Sequence, residues 1–232
     1  MKSKFYEHNQ VSIVSAFDEL INKKFLEAMN AICWHRNLTG NFKEIVFKLQ
    51  LKENVTTISI EELLMLSLSP EEILAREMIL NDLKLLTDFG AMPTLNLIKN
   101  YERDEEFDFI STDVYSYHVD RSPIATDTFL CTYYGAASDI LPNHQVEQQI
   151  LIPEIRQKLQ NIFDGPETEF EDFLKENFFD LHYQPKPYAD PLNLGLGHLW
   201  KLAVDHPDQQ ALPCVHRAPI ENDGEYRLLL IC

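Results

Sequence analysis

The sequence predicts an α+β chain in which a compact antiparallel β core follows a mostly helical N-terminal region and is interrupted by a helical insertion. Three observations predict it. Apolar residues recur at steps of three and four through residues 1–92; short β-branched and aromatic runs separated by Pro- or Gly-containing turns fill residues 93–232; helical spacing returns around 150–178. With 45% hydrophobic residues in 232, the chain can bury a sizeable core, which excludes a disordered chain. No internal repeat or flexible linker is visible, so the helices are expected to pack directly on the β core.

The first helix is signalled by Val14, Phe17, Leu20, Ile21, Phe25, Leu26 and Met29, the stripe of an amphipathic helix. Ser69-Pro70-Glu71-Glu72 signals a second more sharply: serine caps, proline fits the first helical position, Glu72 completes a capping box, and Gly90 marks the stop. Strands are expected at 94–98, 107–117, 128–134 and 225–232. The patches 152–162 and 167–178, the latter with Phe170, Phe173, Leu174 and Phe178 at helical spacing, are expected to lie outside a β-barrel or jelly roll.

Charge narrows the function. The chain carries 20 basic and 37 acidic residues, a net charge of −17, which repels a phosphate backbone and disfavours nucleic acid as a partner. No apolar run approaches the roughly 20 residues that span a bilayer, and the start, Met1-Lys2-Ser3-Lys4-Phe5, leads into polar residues, so no membrane association and a cytoplasmic location are expected. Cys33, Cys131, Cys214 and Cys232 are scattered with no C-x-x-C pair, and reduced, mostly buried thiols follow. Cys214, two residues before His216, shares a strand face with it, which places the thiol either near that histidine or simply in the core.

His118-Val119-Asp120 puts an imidazole and a carboxylate on one face of a strand, where both reach one ion. The spacing is weak alone, because His206-Pro207-Asp208 repeats it. There a proline breaks any regular strand and the stretch reads as a solvated turn, whereas the first pair ends the β run Val114-Tyr115-Ser116-Tyr117. His216 supplies a third ligand, and Arg227 follows eleven residues later on the returning strand. Two histidines and one carboxylate occupy one face of an octahedral Fe(II) and leave three positions open for a bidentate oxo-acid and dioxygen. The guanidinium fork then fits the distal carboxylate of 2-oxoglutarate.

At His118, Asp120, His216 and Arg227 the chain resembles the Fe(II)/2-oxoglutarate-dependent dioxygenases, whose core is a double-stranded β-helix, a jelly roll of the cupin-like kind. Over nearly its whole length it also resembles a bacterial domain family of unknown function. Trp34-His35-Arg36, Tyr117-His118-Val119-Asp120, Leu130-Cys131-Thr132-Tyr133-Tyr134-Gly135, Val215-His216-Arg217-Ala218-Pro219 and Arg227-Leu228-Leu229-Leu230 carry that resemblance. The resemblance implies a fold, a metal site and the cofactors Fe(II) and 2-oxoglutarate, but no named substrate. Leu229 stands where many such enzymes place a hydroxyl residue, so a second donor to the co-substrate must come from Thr132 or Tyr133. Alternation admits only one of them, and Tyr133 is the expected one, with core packing as its competing role.

The segment Gly135-Ala136-Ala137-Ser138-Asp139 reads as a turn, either closing over the site or an ordinary loop. His35 and His198 read as packing or core histidines, His8, His144 and His182 have no companion, and Arg217 points away from His216 toward an ion pair. Three functions remain open: a 2-oxoglutarate oxygenase acting on a small molecule or a side chain, a cupin-like metalloenzyme in which Arg227 binds the substrate's own acid group, and an inactive interaction module. Neither the substrate nor the oligomeric state is legible.

Overall fold

The computed structural model describes residues 9–222 and 224–232; the N-terminal start and His8 lie outside them. In chain order the strands are β1 (Val11–Val14), β2 (Ala31–Trp34), β3 (Val55–Ile58), β4 (Thr94–Ile98), β5 (Tyr117–His118), β6 (Asp127–Tyr134) and β7 (Asp139–Leu141). They continue with β8 (Val146–Gln148), β9 (His182–Pro185), β10 (Leu192–Asn193), β11 (Leu199–Ala203), β12 (Val215–Arg217) and β13 (Arg227–Ile231). Two sheets result, a seven-stranded one ordered β1-β2-β11-β6-β13-β4-β3 and a six-stranded one ordered β10-β7-β12-β5-β9-β8. All pairings are antiparallel except that of β1 with β2. Within them lies a nested set: β4 pairs β13, β5 pairs β12, β6 pairs β11 and β7 pairs β10.

The seven-stranded sheet is covered on both faces, which explains why its central strands are apolar on both sides. On β6 and β13, Phe129, Cys131, Tyr133, Leu228 and Leu230 join the core under the helices, while Leu130 and Leu229 join Ile140, Leu192, Trp200 and Cys214 between the sheets. The covering helices are α1 (Phe17–Asn22), α2 (Phe42–Lys48), α3 (Ile60–Met65) and α4 (Pro70–Phe89). The cap of α4 is as expected: Ser69 and Glu72 exchange side-chain and backbone hydrogen bonds, Pro70 opens the helix, and Gly90, at φ 98°, takes the left-handed position that ends it. The insertion forms α5 (Pro153–Ile162) and α6 (Phe170–Glu176), whose Leu159, Phe170 and Leu174 close a separate cluster with Ile110, Ile150 and Phe179.

Three expectations are revised. Residues 1–92, expected to be mostly helical, carry α1 to α4 and also β1, β2 and β3, which extend the seven-stranded sheet. The apolar stripe from Val14 to Met29 divides: Val14 belongs to β1, only Phe17–Asn22 is helical, and Leu26 and Met29 close a turn containing Glu27 at φ 50°. Pairing with β2 outweighs the helical periodicity. The strand expected at 107–117 is confined to its last residue, Tyr117, continuing to His118. Asp104 accepts from the backbone of Thr112 and Glu106, and Asp113 from that of Asp104, Tyr115 and Ser116, so side-chain carboxylates satisfy backbone groups that a sheet would otherwise pair.

The helical layer is tied to the sheet by a buried ionic contact. Arg36 donates to both carboxylate oxygens of Asp82 on α4, at 2.6 Å for the Nη1 to Oδ1 bond, and the Tyr133 hydroxyl donates to Oδ2 at 2.6 Å. The Asp82 side chain is fully buried, so removing its charge leaves the Arg36 guanidinium without compensation. Asp82→Ala is therefore expected to cost about 3–5 kcal/mol, read as a lower urea midpoint at unchanged slope; a loss below about 1 kcal/mol would show that the contact does not anchor the layer.

Candidate metal centre

His118 ends β5 and His216 lies in the middle of β12, directly opposite it in the antiparallel register. Their rings are 4.5 Å apart at the centroids. Asp120, two residues beyond His118, shares their face, and one potential ligand atom from each of the three lies within 4.8 Å of the others. The three residues named from the sequence as a metal site are thus brought together.

Local hydrogen bonds set the chemistry of this group. His118 Nδ1 lies 2.8 Å from the carbonyl of Ser116, and His216 Nδ1 lies 3.1 Å from that of Cys214. Since a carbonyl only accepts, each Nδ1 carries the proton and each Nε2 keeps its lone pair for an ion. Thr128, on β6, donates its hydroxyl to Asp120 Oδ2 and orients the carboxylate. His216 Nε2 stands 3.7 Å from the same oxygen. Burial, and then the neighbouring His216, push the pKa of His118 down to about 4. Burial opposes ionisation of Asp120, but His216, the Thr128 hydroxyl and His118 hold its pKa below the ordinary carboxylate value. A neutral His118 beside an ionised Asp120 presents forms that bind a divalent cation.

A cleft of about 290 Å³ opens beside the triad, lined by His118, Asp120, Asp113, Arg121, Phe178 and His182 among others. His182 went unassigned in the sequence. It sits opposite His118 on β9, which places three histidines in one row across β9, β5 and β12, and burial pushes its pKa down to about 4. Only long-range strand pairing forms this row, so no local spacing announces it.

Arg227 is 2% exposed on β13 of the other sheet. Its Nη2 donates to Thr132 Oγ1 at 3.2 Å and to Ser138 Oγ at 2.8 Å, while its Nε is buried without a partner. No carboxylate among the described residues forms a salt bridge with it. Burial pushes its pKa down, opposed by Tyr101 and Glu221. Tyr133 is not beside Arg227: it faces the helices, stacked on Phe42 at 5.5 Å and bonded to Asp82. Thr132 takes the place expected for Tyr133, because alternation turns Thr128, Leu130 and Thr132 to the same face of β6. Ser138 was legible only as part of a turn, yet it supplies the second hydroxyl. Gly135, in that turn, passes so close to the end of β13 that an added Cβ would lie 2.5 Å from the Tyr226 carbonyl.

The remaining assignments are plain. His206 and Asp208 form a turn in which the Asp208 N–H donates to His206 Nδ1 at 3.2 Å. Arg217 pairs with Asp139 at 3.0 Å, and His35 stacks on His198 at 4.3 Å. Cys214 is buried between the sheets and feels the Asp120 charge, while Gln10 donates to its sulfur at 3.8 Å. No helix among the described residues is long and apolar enough to cross a membrane.

Comparison with family models, with curated proteins and with solved structures returns no match.

His118→Ala or His216→Ala is expected to abolish stoichiometric uptake of a divalent metal, measured by anaerobic dialysis and elemental analysis, while His206→Ala leaves it intact. The opposite pattern would dismiss the triad. In the metal-free protein, His118 and His182 take up protons near pH 4 when folded but near their ordinary 6.5 when unfolded. The unfolded chain therefore binds more protons across that window, and stability is expected to fall as pH drops from 6.5 toward 4. Denaturant titrations that give a flat profile there would contradict the burial of these rings.

Proposed function

We propose that this chain is a non-haem oxygenase of the Fe(II)/2-oxoglutarate type, with His118, Asp120 and His216 as metal ligands and Arg227 as the anchor of the acidic co-substrate. The observation that carries the reading is the pairing of a two-histidine, one-carboxylate group with a buried arginine that has hydroxyl partners, an unpaired Nε and no carboxylate of its own among the described residues. A buried guanidinium without an anion is costly, and a dicarboxylate would offset that cost.

Topology supports the same reading. Eight strands, β4, β5, β6, β7, β10, β11, β12 and β13, pair first with last, second with seventh, third with sixth and fourth with fifth, a nesting that supports reading the two sheets as a jelly roll or double-stranded β-helix. In that arrangement the ligands stand on one sheet and Arg227 on the other. Thr128, which holds Asp120, and Thr132, which holds Arg227, are four residues apart on β6, a separation of about 13 Å that an arginine and a five-carbon diacid span together.

When bound, Fe(II) and 2-oxoglutarate supply oxidising chemistry; the protein's own part is to fix the ligands, orient the acid and exclude water. Leu130 and Leu229, packed together between the sheets near that path, favour a second reading in which the metal works without 2-oxoglutarate and Arg227 takes an acid group of the substrate itself. The substrate in either case is a small molecule or a side chain.

Thermal unfolding with metal and 2-oxoglutarate separates the readings. A ligand at about 100 times its dissociation constant adds roughly 2.7 kcal/mol to native stability, a readily measured rise in Tm. Arg227→Ala is expected to erase the 2-oxoglutarate increment and spare that of the metal, and Arg227→Lys to restore it in part, since an ammonium lacks the bidentate fork. A wild type that shows no metal-dependent increment, or an Arg227→Ala variant that keeps it whole, would remove 2-oxoglutarate from the account.

A further inference from the structure

The two flanks of the triad differ in how well their polar atoms are satisfied. On the β12 side stands Cys214, buried in the apolar core with Gln10 against its sulfur. On the β9 side, buried polar atoms are left over. His182 is 4% exposed and lines the cleft, and its buried Nδ1 has no partner; Asp180, two residues earlier and 8% exposed, has an unpaired Oδ1. Side-chain atoms of this kind are uncommon in native interiors and point to a missing ligand or water.

Charge gives the sign of that ligand. Asp113 and Asp120 line the cleft, and Asp104, Asp113 and Asp180 lie close enough to act on His182 electrostatically. Arg121 also lines the cleft, but it is committed to Asp180 at 2.6 Å and to Asp205 at 2.8 Å. These five carboxylates outnumber the positive charges of Arg121 and a bound divalent ion together. The field in the cleft therefore favours a cation.

Phe178 adds an independent mark. It lines the cleft, is 59% exposed and adopts φ 60°, a left-handed conformation that is costly for a bulky residue. The next residue, Phe179, is buried in the cluster of the helical insertion. The turn thus sends one phenyl ring inward and holds the other at the mouth of the cleft, where an aromatic face attracts a cation.

We propose that this cleft seats an ammonium or guanidinium group of the substrate, held against Phe178, hydrogen-bonded to His182 and facing Asp113, beside the metal. The inference rests on the reading of His118, Asp120 and His216 as a metal centre, and it assigns the substrate class as one carrying a basic group, of the kind found on a basic amino-acid side chain or a polyamine. His182 acts as a positioning residue, outside the ligand set.

The test loads the full chain with Co(II) under anaerobic conditions and titrates it with methylguanidinium and with methylurea, an uncharged molecule of nearly the same shape. Binding is followed by calorimetry and by the visible absorption of the bound Co(II). Methylguanidinium is expected to bind saturably and perturb the Co(II) bands, with methylurea weaker by at least about tenfold. His182→Ala and Phe178→Gly are each expected to weaken methylguanidinium by at least about fivefold while leaving Co(II) affinity within about threefold. Phe178→Gly relieves the left-handed backbone, so its Tm should hold or rise as binding is lost, which separates a binding role from a folding one. Equal affinity for the two probes, or wild-type affinity in both variants, overturns the proposal and leaves the metal centre standing. Failure of the wild type to take up Co(II) overturns the metal centre and this inference with it.

Discussion

His118 and His216 face each other across β5 and β12, and a slip of one residue in that pairing would turn one imidazole to the opposite face of the sheet. Because β5 is only two residues long, the register has to be held from outside it. The Val119 N–H donates to Leu181, the Asp205 N–H to Asp120 and the Ala218 N–H to Val114, while β12 is also paired to β7. On the far face, Tyr117, Val119 and Val215 are packed in one apolar cluster with Leu141 and Leu181. A slip would expose these residues and bury the imidazoles among them, so hydrophobic alternation protects the geometry of the polar site.

From this register the rest of the site follows in layers. The strand neighbour on one side brings His182 into the histidine row, and β6, on the opposite sheet, brings Thr128 to Asp120 and Thr132 to Arg227. Among the described residues, the buried side-chain atoms without partners belong to Asn30, Tyr117, Asp180, His182 and Arg227. His182 lines the cleft, Asp180 is paired with Arg121, which lines it too, and Arg227 is the proposed acid anchor, so much of the unmet hydrogen-bonding capacity of the interior lies where ligands are expected. The helical layer does not contribute to this chemistry. Through the Arg36–Asp82–Tyr133 contact it closes the outer face of the sheet that carries Arg227.

How much of this was legible in the sequence depended on the range of the interaction. The cap of α4, the strands β4, β6 and β13 and the helices of the insertion came from local signals. The clustering of His118, Asp120 and His216 was legible because His118 and Asp120 are two apart at the end of a strand and because the distal pair His216 and Arg227 completes a chemically sensible set. Long-range pairing was not legible: it recruits β1 to β3 into the large sheet, sets His182 beside His118 and leaves Tyr133 bonded to Asp82. The choice between Thr132 and Tyr133 failed for a simple reason. An alternating strand offers two faces of equal hydrophobic merit when helices cover one and a second sheet covers the other.

The central claim is that His118, Asp120 and His216 bind one metal ion through two imidazole nitrogens and a carboxylate, with the Cys214 thiol excluded although it shares their strand face. X-ray absorption at the metal edge of the iron-loaded, anaerobic protein tests this directly. The account predicts a shell of nitrogen and oxygen donors at roughly 2.0–2.2 Å with the outer-shell scattering of two imidazoles. A sulfur donor at about 2.3 Å, or a spectrum without imidazole scattering, would contradict it.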